Sequence, residues 1–205
     1  MPKPFTGEEK NKIRSLLLEK GKELFTHFGL NKTGVSDLTR AVGIAQGSFY
    51  LFFNSKEELY FKILELEEQA IRERFVKWLS ENEPITHSRF KEFLHLSLNV
   101  FEENPFLRNL WLENEMNELL RKLPPALIDE HTKSDTTFME PLIKHWQEKG
   151  YMIDSSPKAI TGVIRSIFIL PLHRKEIGED IFPQVIEMYI DFIASGLIKK
   201  KQDTI

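Results

Sequence analysis

Apolar residues recur at intervals of three and four along almost the whole chain, and no stretch alternates long enough to predict a β-strand. The pattern therefore predicts an all-α protein. The first helix opens with Thr6 and Glu9, which have the spacing of a capping box, and is expected to end near Gly29. Its predicted apolar stripe comprises Ile13, Leu16, Leu17, Leu24, Phe25 and Phe28.

Two short helices are predicted next, over residues 35–42 and from about Gln46 to Phe52, with Gly43 between them. A glycine that permits a sharp turn between two short amphipathic helices is typical of a helix-turn-helix, whose second helix enters the major groove of DNA. The apolar residues that would fix the crossing of the two helices are Leu38, Val42, Ile44, Phe49 and Phe53.

The second short helix has small or hydrogen-bonding side chains on its outward face, and Gly47 lets the backbone approach a duplex closely. These outward residues are Gln46, Ser48, Tyr50 and Leu51. A second capping box, Ser55 with Glu58, predicts a long helix through Leu79. Lys56 lies in its first turn, where free N–H groups and the helix dipole already favour an anion, so a phosphate would be bound by both.

Proline and glycine positions divide the rest of the chain into further segments of helical length. The breaks fall at Pro84, Asn104-Pro105, Pro124-Pro125, Gly150 and Ser155-Ser156-Pro157. Ser156 is expected to be the N-cap of a helix that begins with Pro157. The last two predicted helices, about 157–176 and 181–199, carry more apolar surface than one small chain easily buries.

Composition narrows the function classes. The chain has 205 residues, 41% hydrophobic and 29% charged, and no cysteine, which excludes disulfides, thiolate metal sites and a cysteine nucleophile. Residues 1–56 contain nine Lys and Arg against five Asp and Glu, so their charge of +4 leaves −7 for the remainder of a chain whose net charge is −3. This asymmetry fits a nucleic-acid partner, although on charge alone a solvated helix surface is an equal alternative.

We expect a cytoplasmic protein with no membrane span. The longest nearly continuous apolar run, residues 160–172, contains Arg165 and Pro171 and is shorter than the roughly 18 to 20 residues that a span needs. The first twelve residues are polar and charged where a secretory signal would be apolar.

The N-terminal sixty residues resemble those of the TetR (tetracycline-repressor-like) transcriptional regulators. The resemblance rests on Leu24-Phe25, Phe28-Gly29, the run Leu38–Ile44, Gly47–Tyr50, Phe53 and the run Ser55–Leu59. Thr39, Val42 and Ala45 depart from the family pattern, and Ala45 removes a possible cap on the recognition helix. The resemblance implies a DNA-binding domain at 1–54 and an effector-binding and dimerisation domain at 55–205.

The resemblance also implies roles for residues of the helix-turn-helix. Thr33, Ser36, Tyr50 and Lys56 would hold phosphates. Gln46 and Ser48 would face base edges, and Leu51 would meet a thymine methyl. The implied protein is a homodimer that binds a palindromic operator, acts as a repressor and leaves DNA when a small apolar or aromatic effector binds.

No motif identifies the effector pocket, so we predict it from polar residues that interrupt apolar helical faces. The candidates are Trp111, Asn114, His131, Asp135, Phe138 and Met139. A protein side chain could serve as the partner of each polar group as well as a ligand could. The residues expected at the dimer surface are Ile164, Phe168, Val185, Tyr189 and Ile193, although these stripes could instead face only other helices of the same chain.

Two other function classes stay open. The six histidines form no HExxH motif, and the only notable pairing is His145 with Glu148, so an all-α metal or carboxylate enzyme is a remote alternative. We expect no cofactor and no metal. A helical protein-protein adaptor is the other alternative, and the salt dependence of DNA binding separates it from a DNA-binding regulator.

Overall fold

The computed structural model describes residues 5–112 and 115–199, without the side chains of 101, 102, 111, 112, 115 and 134–136. In these ranges it has no β-strand beyond an isolated bridge between Met152 and Ile198, so the predicted all-α class is confirmed. The α-helices are α1 Gly7–Lys32, α2 Val35–Val42, α3 Lys56–Glu81, α4 His87–Glu103, α5 Pro105–Leu112, α6 Glu115–Lys122, α7 Pro125–Glu148, α8 Pro157–Ile169, α9 Arg174–Ile177 and α10 Phe182–Leu197. Two 3₁₀ segments are Gln46–Leu51 and Leu170–His173.

The helices divide into two compact units. The N-terminal unit is Met1–Ala70 with Asn104–Pro124, and the C-terminal unit is Ile71–Glu103 with Pro125–Ile205. This division falls within α3 and places α5 and α6 with the helix-turn-helix. The predicted boundary at 54/55 separates a DNA-binding domain from an effector-binding and dimerisation domain. It concerns function, so it stays a prediction.

Both ends of α1 follow from local chemistry. Glu9 N donates to Thr6 Oγ1 (3.2 Å) and Thr6 N donates to the Glu9 carboxylate (2.7 Å), so the predicted capping box is confirmed. Gly29 has φ +76° and ψ 169° and interrupts the helical path, which then continues to Lys32. Phe28 is 55% exposed, so its expected place in the apolar stripe is wrong.

The core of the N-terminal unit joins α1, α2, α3 and α5. Its aromatic centre is Tyr60, whose ring lies 4.9 Å from that of Phe25 and 4.6 Å from that of Phe106. The N-terminus of α3 is capped by Ser55 Oγ, which accepts from Glu58 N at 3.0 Å. The Glu58 carboxylate accepts from Asn54 N (2.9 Å), one residue earlier than in a regular capping box.

The C-terminal unit packs α7 against α8 and α10 against α4 and α8. Phe90 and Trp146 are buried with ring centroids 6.1 Å apart, which joins α4 to α7. Ser156 precedes Pro157 at the start of α8 as predicted, although its side chain makes no capping hydrogen bond. The helix predicted over 157–176 is interrupted after Ile169 by the 3₁₀ segment that contains Pro171. No helix in the described ranges is long and apolar enough to span a membrane.

Candidate nucleic-acid interface

The turn between α2 and the 3₁₀ segment Gln46–Leu51 is built as a helix-turn-helix requires. Gly43 ends α2 in the left-handed conformation (φ +76°, ψ 32°), and Ile44 N donates to Thr39 O at 3.0 Å. The side chain of Thr39 is buried and donates to Val35 O (2.9 Å) within its own helix. Thr39 is one of the residues that depart from the family pattern, and its buried hydroxyl group is therefore satisfied.

The recognition segment, Gln46–Leu51, is a 3₁₀ helix of six residues. Ala45 precedes it and supplies no side-chain cap. Phe49 anchors the segment because it is fully buried and its ring lies 6.1 Å from the ring of Phe53. The sequence predicts the place of this helix correctly, but not its 3₁₀ geometry.

The outward residues of the recognition segment are exposed to solvent, except Ser48. Tyr50 is 57% and Leu51 65% exposed, Gln46 and Gly47 are exposed, and Ser48 is half-buried. Apart from its chain neighbours and the backbone of its own helix, no atom lies within 4 Å of the position that a Cβ on Gly47 would occupy. The fold itself therefore gives no reason for a glycine there, and its small size matters only to a molecule that docks from outside.

The residues predicted to contact phosphates divide into two groups. Ser36 and Tyr50 are exposed, as contact with a phosphate requires. Thr33 is 1% exposed, and its hydroxyl donates to Gly29 O at 2.8 Å. The expectation that the Thr33 side chain faces DNA therefore has to be corrected, because the hydroxyl closes the end of α1 instead.

Lys56 also has partners inside the protein. Its Nζ donates to Leu30 O at 2.6 Å, to Thr33 O at 2.9 Å and to Asn31 O at 3.4 Å. Without DNA the side chain is directed at the carbonyl groups that end α1, and the predicted contact between this ammonium and a phosphate stays a prediction.

Arg14 makes contacts within the fold that the sequence does not predict. Its Nη1 donates to Phe52 O at 2.9 Å, and its guanidinium carbon lies 4.5 Å from the ring centroid of Phe53. Both phenylalanines directly follow the recognition segment. The hydrogen bond joins residues 38 positions apart, so no local pattern could have indicated it.

The predicted effector residues are only partly described. Trp111, Asn114 and Asp135 lie outside the residues whose side chains the structure describes. The remaining three, His131, Phe138 and Met139, are half-buried on α7 in the C-terminal unit. The Arg72 guanidinium carbon lies 5.8 Å from the Phe138 ring centroid, so this ring already has a protein partner.

A groove of about 440 Å³ lies elsewhere, in the N-terminal unit. Its walls come from α1, α2 and the residues between them, and it contains none of the predicted effector residues. The lining residues are Leu24, Phe28, Lys32, Thr33, Asp37, Arg40 and Ala41.

The predicted dimer residues do not share one exposed face. Ile164 and Ile193 are buried within a single chain, which corrects their expected place on an open surface. Phe168, Val185 and Tyr189 are half-buried, and the hydroxyl groups of Tyr189 and Ser166 are 2.7 Å apart and hydrogen-bonded. The large exposed apolar residues of α8 and α10 are Val163, Ile169, Met188 and Phe192.

The histidine that the sequence singles out has a partner from outside its own helix. His145 Nε2 lies 2.7 Å from the carboxylate of Glu83. Among the described side chains, no group of three or more His, Asp or Glu is placed to hold a metal ion.

Comparison with known proteins gives a consistent result. The family model for bacterial regulatory proteins of the tetR family matches residues 17–63. The regulator QacR of Staphylococcus aureus is 28% identical over 128 residues, which are 58% of this chain and 66% of that protein. The repressor NemR of Escherichia coli is 31% identical over 88 residues, 43% of this chain and 44% of that protein.

A solved TetR-family regulator from Pectobacterium atrosepticum superimposes with a TM-score of 0.68 at 20% identity, covering 97% of this chain and 100% of that one. At that identity the likeness concerns the fold. These proteins are regulators of transcription, not enzymes. The helix-turn-helix thus lies in the stretch that matches the family model of the tetR-family regulators, and the chain shares the fold of a solved TetR-family regulator.

Proposed function

We propose that the protein is a homodimeric repressor that binds a palindromic DNA operator and is released from it by a small apolar or aromatic effector. The observation that carries the proposal is the recognition segment, which exposes Gln46, Tyr50 and Leu51 while Phe49 fixes it to the core. A side-chain amide, a phenol and an aliphatic tip are suited to base edges, phosphates and thymine methyl groups.

The dimer part of the proposal rests on the exposed apolar residues of α8 and α10. Phe192 is 63% exposed, and Met188 lies one helical turn before it. Large exposed apolar side chains on neighbouring helices are typical of a protein interface. A second copy also gives a second recognition segment, and two segments related by a twofold axis contact twice as many bases.

The effector part of the proposal rests on the aromatic content of the chain and on the thermodynamic linkage between effector binding and DNA binding. The chain has 16 Phe and 3 Trp, which suit a planar or apolar ligand. A ligand can release DNA only if it binds the DNA-free conformation more tightly than the DNA-bound one. The repressor role is proposed from the family and from NemR, which its name identifies as a repressor.

Selection from a randomised duplex pool tests the proposal. We expect enrichment of a palindrome whose half-sites are about 34 to 36 Å apart along the duplex, and an affinity that falls steeply with salt. A weak affinity with a flat salt response would favour the helical adaptor instead. Enrichment of a single half-site would refute the twofold arrangement.

A further inference from the structure

We propose that the groove between α1 and α2 is a binding site for a small aromatic carboxylate. The aromatic ring packs against the apolar residues of the groove, and the carboxylate lies beside Lys32 and Arg40. The site goes beyond the function proposed above, because it shares no residue with the predicted effector site and lies within the N-terminal unit.

The groove has the size and the apolar lining of a small-molecule site. Its volume of about 440 Å³ lies within the range of about 300 to 1,000 Å³ that is usual for ligand pockets. Leu24 and Phe28 of α1 and Ala41 of α2 form the apolar part. Phe28 is 55% exposed, and an exposed ring packs well against a second ring in an offset or edge-to-face arrangement. The lining therefore favours a flat aromatic ligand.

The polar part of the groove has an excess of positive charge. Its residues include the two cations Lys32 and Arg40 and one carboxylate, Asp37. That carboxylate accepts from Gly34 N at 3.0 Å and lies 3.5 Å from Arg40 Nη1, so it already has partners. Lys32, the last residue of α1, has no hydrogen-bond or ion-pair partner among the residues that the structure describes. The groove thus has an exposed cation to offer to an anion.

A carboxylate is the anionic group that this arrangement suits best. The side chain of Arg40 is 78% exposed, and a guanidinium can donate two parallel hydrogen bonds to a carboxylate. Lys32 adds a second positive charge on the same groove. Asp37 repels a dianion more strongly than a monoanion, which favours a carboxylate over a phosphate. A neutral molecule of the same shape gains the apolar contacts alone.

Ligand NMR of the full chain without DNA tests the site, with 2-naphthoate as the probe. Its affinity should be about 1 mM, as expected for a ligand of about 13 non-hydrogen atoms. We expect nuclear Overhauser effects between its ring protons and the methyl groups of Leu24 and Ala41. The methyl groups of Leu17, which is fully buried, should show none. The neutral 2-naphthalenemethanol should show the same contacts but bind about three- to tenfold more weakly.

The two cations are tested by the double variant Lys32→Met/Arg40→Met. It should bind 2-naphthoate about three- to tenfold more weakly than wild type and change the affinity for the alcohol by less than about twofold. Lys10→Met/Lys12→Met is the matched control, because it removes two exposed cations of α1 that lie outside the groove. The control should bind both probes as wild type does.

The apolar part is tested by Ala41→Phe, which fills the groove and should remove the contacts of both probes with Leu24. If this variant does not fold, the double variant still tests the site. Equal affinity of wild type for the two probes would overturn the assignment of the carboxylate to Lys32 and Arg40. Contacts confined to methyl groups of the C-terminal unit, or no binding of 2-naphthoate at about 10 mM, would overturn the site itself.

Discussion

The recognition segment and the exposed apolar residues of α8 and α10 both present large side chains to solvent, but in different surroundings. Tyr50 and Leu51 stand beside small or polar residues on a short 3₁₀ helix in the basic part of the chain. Met188 and Phe192 lie on a regular α-helix, α10, whose residues are mostly apolar. Exposure alone therefore does not identify a partner. The neighbouring residues indicate DNA in the first case and a second copy of the chain in the second.

The largest expected effect comes from Phe192→Glu. A carboxylate on an exposed residue should leave the fold intact but prevent two copies from burying this surface, because an unpaired charge is costly to bury. Light scattering after size exclusion should show a monomer. Operator affinity should fall by about a hundredfold or more, since two linked recognition segments bind far more tightly than one.

Val76→Glu is the control for Phe192→Glu, because Val76 is another exposed apolar residue of the C-terminal unit, on α3. It should remain a dimer with unchanged operator affinity. A dimeric Phe192→Glu protein would contradict the assignment of α10 to the interface.

The next largest effect is expected at Gln46. Replacing Gln46 with Ala removes a paired donor and acceptor, so discrimination at one base pair should fall by about 1–3 kcal/mol. Selection from a randomised pool should then show a relaxed preference at one position of each half-site. If affinity falls equally for every sequence, Gln46 does not read a base.

Two glycines of the helix-turn-helix, four residues apart, should respond in different ways to substitution. Gly43→Ala should lower the free energy of unfolding by about 1–2 kcal/mol, because Gly43 has φ +76° and a Cβ there is strained. Gly47→Ala should leave unfolding almost unchanged, since the space around Gly47 is open, yet weaken DNA binding. Chemical denaturation and DNA titration of both variants separate the two roles. A Gly47→Ala protein with wild-type affinity would show that the duplex does not approach this backbone.

The smallest effect concerns the pH dependence of stability at α10. A hydrogen bond from Lys91 Nζ (2.8 Å), together with the positive charge of Lys91, holds the pKa of Asp191 below its ordinary value. The folded protein then binds this proton less readily than the unfolded chain. The contribution to stability is complete above the unfolded pKa of about 3.9 and is lost as the pH falls through the folded value.

Asp191→Asn should remove this contribution, which thermal unfolding between about pH 3 and pH 6 can measure. The loss should be small because the pair is exposed to solvent. Glu187→Gln is a suitable control on the same helix, since Glu187 pairs with His95 (3.5 Å). An unchanged pH profile in Asp191→Asn would show that the Lys91 contact does not persist in solution.

The sequence predicts well what depends on neighbouring residues. The Thr6 capping box, the bounds of α2 and the turn at Gly43 all follow from residues within a few positions of one another. The helix-turn-helix itself is predictable for the same reason, because its turn and its buried residues lie within one short stretch.

What the sequence does not predict depends on contacts between distant residues. Helical periodicity places Ile193 on an apolar face, but it cannot say that the same chain covers that face. Likewise, a lysine in the first turn of α3 suggests an anion site, but its position alone does not show that the ammonium contacts the end of α1, 26 residues away along the chain. The predicted recognition helix is 3₁₀ in the structure, which its apolar spacing alone could not distinguish from a short α-helix.

The most direct test of the account is the stoichiometry of the complex with the selected duplex, measured by sedimentation. Two chains, or a multiple of two, should bind each palindromic duplex, and Phe192→Glu should bind it far more weakly. One wild-type chain per duplex, or no complex at low salt in the absence of small molecules, would contradict the central claim that two copies of the recognition segment read DNA together.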